Sequence, residues 1–245
     1  MKTRMRFTKT GSVKFIGHLD CMRFFQKALR RAQLDVAYSQ GFSPHQLMSF
    51  ASPLGVGITS DGEYIDIEFH SLPDLSLPEL VHYLNQFMTE ELFVTEIQIM
   101  PDHFKNSMAL LNAADYMIVE KEPGVFPEDW RGRWTDFISQ PEIWVLKKTK
   151  KSEKEMDIRP FILEHAFQMD AFAERTGEEF HEIHCPCQGD SLFLQLTSGS
   201  EINIKPELVM DAFYNFCHTE MKPYSYQIHR LQMHFNPIPE KKVLS

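Results

Sequence analysis

FIGHLDCMRFFQKALRRAQLDVAYSQGFSPHQLMSFASPLGVGITSDGEYIDIEF, residues 15–69, encodes one helix and the strands around it. Beyond His18 the apolar positions Leu19, Met22, Phe25, Ala28, Leu29 and Ala32 recur every three or four residues, which places them on one face of a helix over 18–32. The opposite face carries Arg23, Lys27, Arg30 and Arg31, and the cations nearest the helix end suit the negative pole of its dipole. Strand-like pieces at 36–39 and 47–51 follow. Between them Gln40-Gly41-Phe42-Ser43-Pro44-His45 forms a loop, because its Gly and Pro interrupt any regular element. Residues 64–69 alternate in hydrophobicity as a half-buried strand does.

Outward from this stretch, β-prone runs at 5–7 and 13–16 bracket Thr10 and Gly11 and read as a first strand or hairpin. A helix is expected over 78–88, with Pro78 in its first turn, and a closing strand over 92–99. The order is β-α-β-β-α-β, the split pattern of a ferredoxin-like unit with two helices on one face of an antiparallel sheet. A looser copy follows, with strands at 114–121 and 143–148, a helix at 127–139 and an inserted helix at 160–172. It continues with strands at 179–185 and 192–197, a helix at 206–217 and a last strand at 225–235. The sequence thus predicts an α+β fold of two tandem ferredoxin-like units, 1–104 and 112–245, joined in 101–113 where periodicity lapses.

With 245 residues and 43% apolar content the chain can fill real cores. No stretch approaches the roughly 18 apolar residues of a membrane span. Four cysteines are too few for a disulfide framework, so a reducing, cytoplasmic setting is expected. Charge is uneven: residues 1–50 carry nine basic side chains against Asp20 and Asp35, a net of +7, so the rest of a chain totalling −9 sums to −16. This cluster reads either as a basic surface for an anionic partner or as a solvated helix face.

Motifs exclude more than they establish. Neither GxxxxGK[ST] nor GxGxxG nor HExxH is present, which removes the signatures of P-loop, dinucleotide-binding and zincin chemistry. Nor do the cysteines supply the CxxxCxxC of a radical SAM cluster. His181, His184, Cys185 and Cys187 form a weak metal candidate, because Pro186 separates the thiols and the spacing matches no standard zinc motif. No metal and no cofactor is expected. The polar residues at element ends are His18 at a helix start, Ser39 and Gln40 at a strand end, and His45 in the loop.

Residues 15–69 resemble the opening signature of the radical-SAM-linked protein family of unknown function, whose members stand alone or are fused behind a radical SAM domain. KSEKEMDIRP (151–160) resembles that family's basic stretch ending in aspartate, arginine and proline, and Asn203-Ile204-Lys205-Pro206-Glu207 resembles its late asparagine and proline motif. Where the family has a proline-rich segment after the loop histidine, this chain has Gln46-Leu47-Met48. The resemblance implies a radical SAM protein as partner and supplies no reaction. A fainter likeness is to RNA-processing proteins that also pair ferredoxin-like units.

The reading these features favour is a non-catalytic accessory protein that binds RNA or presents substrate. Arg23, Lys27, Arg30, Arg31, Ser39, Gln40, Lys148 and Arg159 would contact phosphate, and affinity would depend on salt. The alternatives are a ribonuclease-like or transferase enzyme with His18 and His45 as acid and base, and a pure protein-interaction module.

Overall fold

A computed structural model describes residues 1–101, 103–148, 153–180, 182–187 and 189–236. It is an α+β structure, rich in antiparallel pairing, and its contacts divide into two units. Among the described residues, those of Met1–Asn112 with 232–236 make the first, and those of Ala113–Leu231 make the second. No helix among the described residues is long and apolar enough to cross a membrane.

In the first unit, β1 (Lys2–Lys9), α1 (His18–Arg31), β2 (Asp35–Val36), β3 (Met48–Phe50), β4 (Thr59–Ser71), α2 (Leu77–Asn85), β5 (Val94–Met100) and the short α3 (Ser107–Leu110) follow one another. β1 lies between β4 and β5 and is antiparallel to both. Alternation on the strands decides the packing. Met5 and Phe7 of β1 and Ile65, Ile67 and Phe69 of β4 join Phe25 and Leu29 of α1 and Leu80 and Leu84 of α2 in one core. Phe7 meets Phe25 and Phe50 edge-on, with centroids 4.9 and 5.8 Å apart. A capping box, in which Ser76 and Glu79 satisfy each other, starts α2.

The run at 13–16, expected as part of a first strand or hairpin, belongs to a 3-10 turn over Gly11–Phe15. Gly11 adopts φ +49°, where a side chain is disfavoured and where a Cβ would collide with Glu91. The Glu91 carboxylate accepts from the Ser12 amide (3.0 Å) and hydroxyl (2.6 Å), which fixes the turn.

β2 and β3 behave as two pieces of one edge strand on β4. Val36 pairs with Phe69 and Met48 with Ile67. Between them the Ala37 amide donates to the Glu68 carbonyl (2.8 Å), and the Glu68 amide donates to the Leu47 carbonyl (3.0 Å). Residues 38–46 are thus extruded from the edge as a finger. Its neck is closed by the Leu47 amide on the Ala37 carbonyl (2.8 Å), a bridge between Tyr38 and Gln46, and the Ser39 amide on the His45 carbonyl (2.8 Å).

The second unit runs through β6 (Leu111–Glu120), α4 (Trp130–Ser139), β7 (Trp144–Lys148), β8 (Glu153–Asp157), β9 (Ile162–Ala166), α5 (Met169–Thr176), β10 (Ser191–Thr197), α6 (Pro206–Phe216) and β11 (Tyr226–Phe235). Its sheet has the order β11-β6-β10-β9, while β7 and β8 form a separate antiparallel pair. On one face Trp134 and Phe137 of α4 meet Phe213 of α6 at 5.1 and 5.6 Å. On the other, Phe172 of α5 packs with Phe193 and Ala166, which are paired neighbours on β10 and β9.

Three expectations fail here. The helix expected over 160–172 is a 3-10 turn (Arg159–Phe161), then β9, and only then α5; pairing with β10 overrides local helical spacing in ILEHA. The strand expected over 179–185 is irregular chain at its described residues, and Phe180 and Ile183 pack against the α5 cluster instead of entering the sheet. A helix on the second face of this sheet also departs from the expected one-sided arrangement.

Candidate functional site

The outward side of α1 is the strongest concentration of exposed cations placed by a regular element. Its inner stripe, Cys21, Phe25, Ala28 and Leu29, is buried, which leaves Arg23, Lys27, Arg30 and Arg31 in solvent. Arg23 pairs with Asp20 one turn back at 3.2 Å, an exposed contact that a stronger anion can displace. Arg31 donates to the Phe87 carbonyl at 2.7 Å and so fastens the end of α1 to the chain after α2. Phe15 and Leu19 near the start of the helix are 66% and 60% exposed, and the Lys14 ammonium lies 5.3 Å from the centre of the Phe15 ring.

His18 opens α1, and its ring packs edge-on against Phe50 of β3 at 5.0 Å. With Lys9, Cys21, Ser52 and Glu63 it borders a cavity of about 10 Å3, room for one water molecule and no substrate. Lys9 and Glu63 are buried, and the Lys9 ammonium donates to the Ile16 carbonyl at 2.9 Å. Burial pushes the Cys21 thiol up to about 12, with Lys9 opposing and Glu63 adding to the shift, so it is no nucleophile at neutral pH. Sequence reading missed this buried polar group. Its only local trace is the break in alternation at the end of β1, where the register with β4 shifts between Phe7 and Lys9.

Ser39 and His45 are brought together: the Ser39 hydroxyl and His45 Nδ1 are 2.9 Å apart, and the His45 amide donates to Ser39 Oγ at 3.1 Å. Both contacts close the finger neck. Beyond them lie Gln40, exposed, and Phe42, fully exposed at the tip. His45 is not among the residues bordering the His18 cavity. The two are tied through β3, since Phe50 stands three residues, about 10 Å of strand, from Leu47 at the finger base.

Lys148 and Arg159 belong to the second unit. Lys148 ends β7, and its side chain falls outside the described residues. Arg159 is engaged in the fold: Nε donates to the Ile138 carbonyl (2.7 Å) and Nη1 to the Ile162 carbonyl (3.4 Å), tying the end of α4 to β9. His184, Cys185 and Cys187 lie in irregular chain, and His181 is outside the described residues. Among the described residues no three His, Cys, Asp or Glu side chains converge where they could hold a metal ion.

No curated protein matches the chain. A family profile described as "Uncharacterized protein conserved in bacteria (DUF2344)" matches residues 2–206, which includes the α1 face, the His18 cavity, the finger, the 151–160 motif and the late motif up to Pro206. The chain therefore belongs to this family of uncharacterised proteins conserved in bacteria.

Proposed function

We propose that the first unit binds single-stranded RNA and that the protein is a non-catalytic accessory, working in the cytoplasm, that presents this RNA to a radical SAM enzyme. The observation that carries the reading is the exposed cation set of α1. Lys27 and Arg30 stand one turn apart with Arg23 and Arg31 beside them, spaced to follow a phosphate backbone. The exposed rings of Phe15 and Phe42 are faces on which bases of any sequence can stack. The partnership rests on the sequence resemblance at 15–69, 151–160 and 203–207. A radical SAM enzyme needs its substrate held, and a protein without a cluster motif suits that task.

We read each unit as ferredoxin-like. Supporting this, β1 lies between β5 and β4, which carries β2 and β3 on its edge; in the second unit β6 lies between β11 and β10, with β9 outermost. In both, the first strand is inserted between the last and the third, as the split pattern requires. The β7–β8 hairpin is then an insertion after α4.

An enzymatic reading with His18 and His45 has less support, because His18 is packed on Phe50 beside a one-water cavity and His45 braces the finger neck.

The test is binding of a fluorescent oligouridylate to the Lys27→Ala/Arg30→Ala double variant. Losing two phosphate contacts should weaken binding by roughly tenfold or more at low salt, with the unfolding curve unchanged because both side chains are exposed. Unchanged affinity would overturn the reading. Equal affinity of the parent for polyglutamate would replace RNA with an acidic protein partner.

A further inference from the structure

In the second unit a groove of about 760 Å3 lies alongside α6 and β7. Three of its residues are large apolar side chains left in solvent: Trp144 (61% exposed), Leu146 (47%) and Phe216 (37%). Among the described residues its charged rim has one sign: Glu142, Asp211 and Glu220 border the groove, and no described Lys or Arg does. The third feature is backbone. Among the described residues β8 is the sole strand partner of β7. The Ile158 amide donates to the Ile143 carbonyl (2.8 Å), which sets the phase of the ladder. Alternate residues of an antiparallel strand turn their N–H and C=O to opposite edges, so those of Trp144 and Leu146 point away from β8. An open edge bordered by exposed apolar side chains and a carboxylate rim is built to take another strand.

We propose that this groove binds an extended cationic segment of a partner protein, which pairs with the free edge of β7. Its alternate apolar side chains rest on Trp144, Leu146 and Phe216, and its Lys or Arg side chains meet Glu142, Asp211 and Glu220. This stands independently of RNA binding, since it uses residues of the other unit and the opposite charge.

Trp144 supplies the readout: Trp130 and Trp134 are buried, so acrylamide quenching of the native protein reports chiefly on the groove. The probe is a short peptide in which lysine alternates with valine. Full-length protein should show a saturable blue shift and protection from quenching, and Trp144→Phe should silence the signal while leaving binding measurable by peptide anisotropy. Asp211→Asn with Glu220→Gln should weaken binding by about tenfold. N-methylation of alternate peptide amides, which blocks strand pairing and keeps the charge, should abolish it. The proposal is overturned if a glutamate-valine peptide binds as well, if the N-methylated peptide binds equally, if spermine displaces the peptide at equal concentration, or if no shift occurs.

Discussion

Arg4 shows what a basic residue counted in a sequence turns into when folded. Its guanidinium lies between the rings of Phe104 and Phe235, 4.7 and 4.2 Å from their centres, and Nε donates to Asp66 at 3.1 Å. Asp66 also accepts from the amide and hydroxyl of Ser107. Arg4 is buried and Asp66 largely so, with side chains 8% and 12% exposed, so removing one strands the other. Asp66→Ala should cost about 3 kcal/mol in urea unfolding; a loss below about 1 kcal/mol would show that the cluster does not hold the unit together. His165 gives a pH dependence. Burial, then Arg175 and Arg159, lower its pKa below the ordinary value, so between the folded and unfolded values the unfolded chain binds more protons. Its contribution is therefore intact above the unfolded value near 6.5 and lost as pH falls through the window below it. His165→Asn should flatten the fall in stability on that side; an unchanged slope would refute the assignment. Cys21, raised to about 12, should resist iodoacetamide at pH 8 in the native protein and react only on unfolding. None of these environments is legible locally, because each depends on residues distant in the chain.

Among the elements, α1 was fully readable: its stripe and its cationic face both follow from three- and four-residue spacing within one segment. The finger was not. Residues 36–39 and 47–51 look like two strands with a loop between them, and only their shared partner β4 reveals one edge strand with an extrusion. β9 was read as helix for the same reason, since five residues without strict alternation become a strand only by pairing with β10. The finger also makes a separable prediction. Because Phe42 is fully exposed, Phe42→Ala should leave the melting temperature within about 1 °C. If a base stacks on it, RNA affinity should fall by about tenfold. A stability loss without an affinity loss would make the tip structural.

For the whole molecule, the net of +7 read from residues 1–50 overstates what a ligand meets. Arg4 and Lys9 are buried, and Lys2 contacts Glu68 at 3.6 Å. Four of the nine cations, Arg23, Lys27, Arg30 and Arg31, are exposed on α1, and two of these already have partners at Asp20 and Phe87. That residues 232–236 belong to the first unit was equally hidden: Tyr64 donates to Gln232 at 2.7 Å across 168 positions, a contact with no local signature. The corrected cation count makes the central claim quantitative. For single strands the slope of log affinity against log salt is about −0.7 per phosphate contact, so two to four contacts predict a slope between about −1.4 and −2.8. Titrating an oligouridylate from about 50 to 200 mM salt measures it directly. A slope in that range, reduced by about 1.4 in the Lys27→Ala/Arg30→Ala variant, is the predicted result; absence of binding at the lowest salt, or a slope near zero, would contradict it.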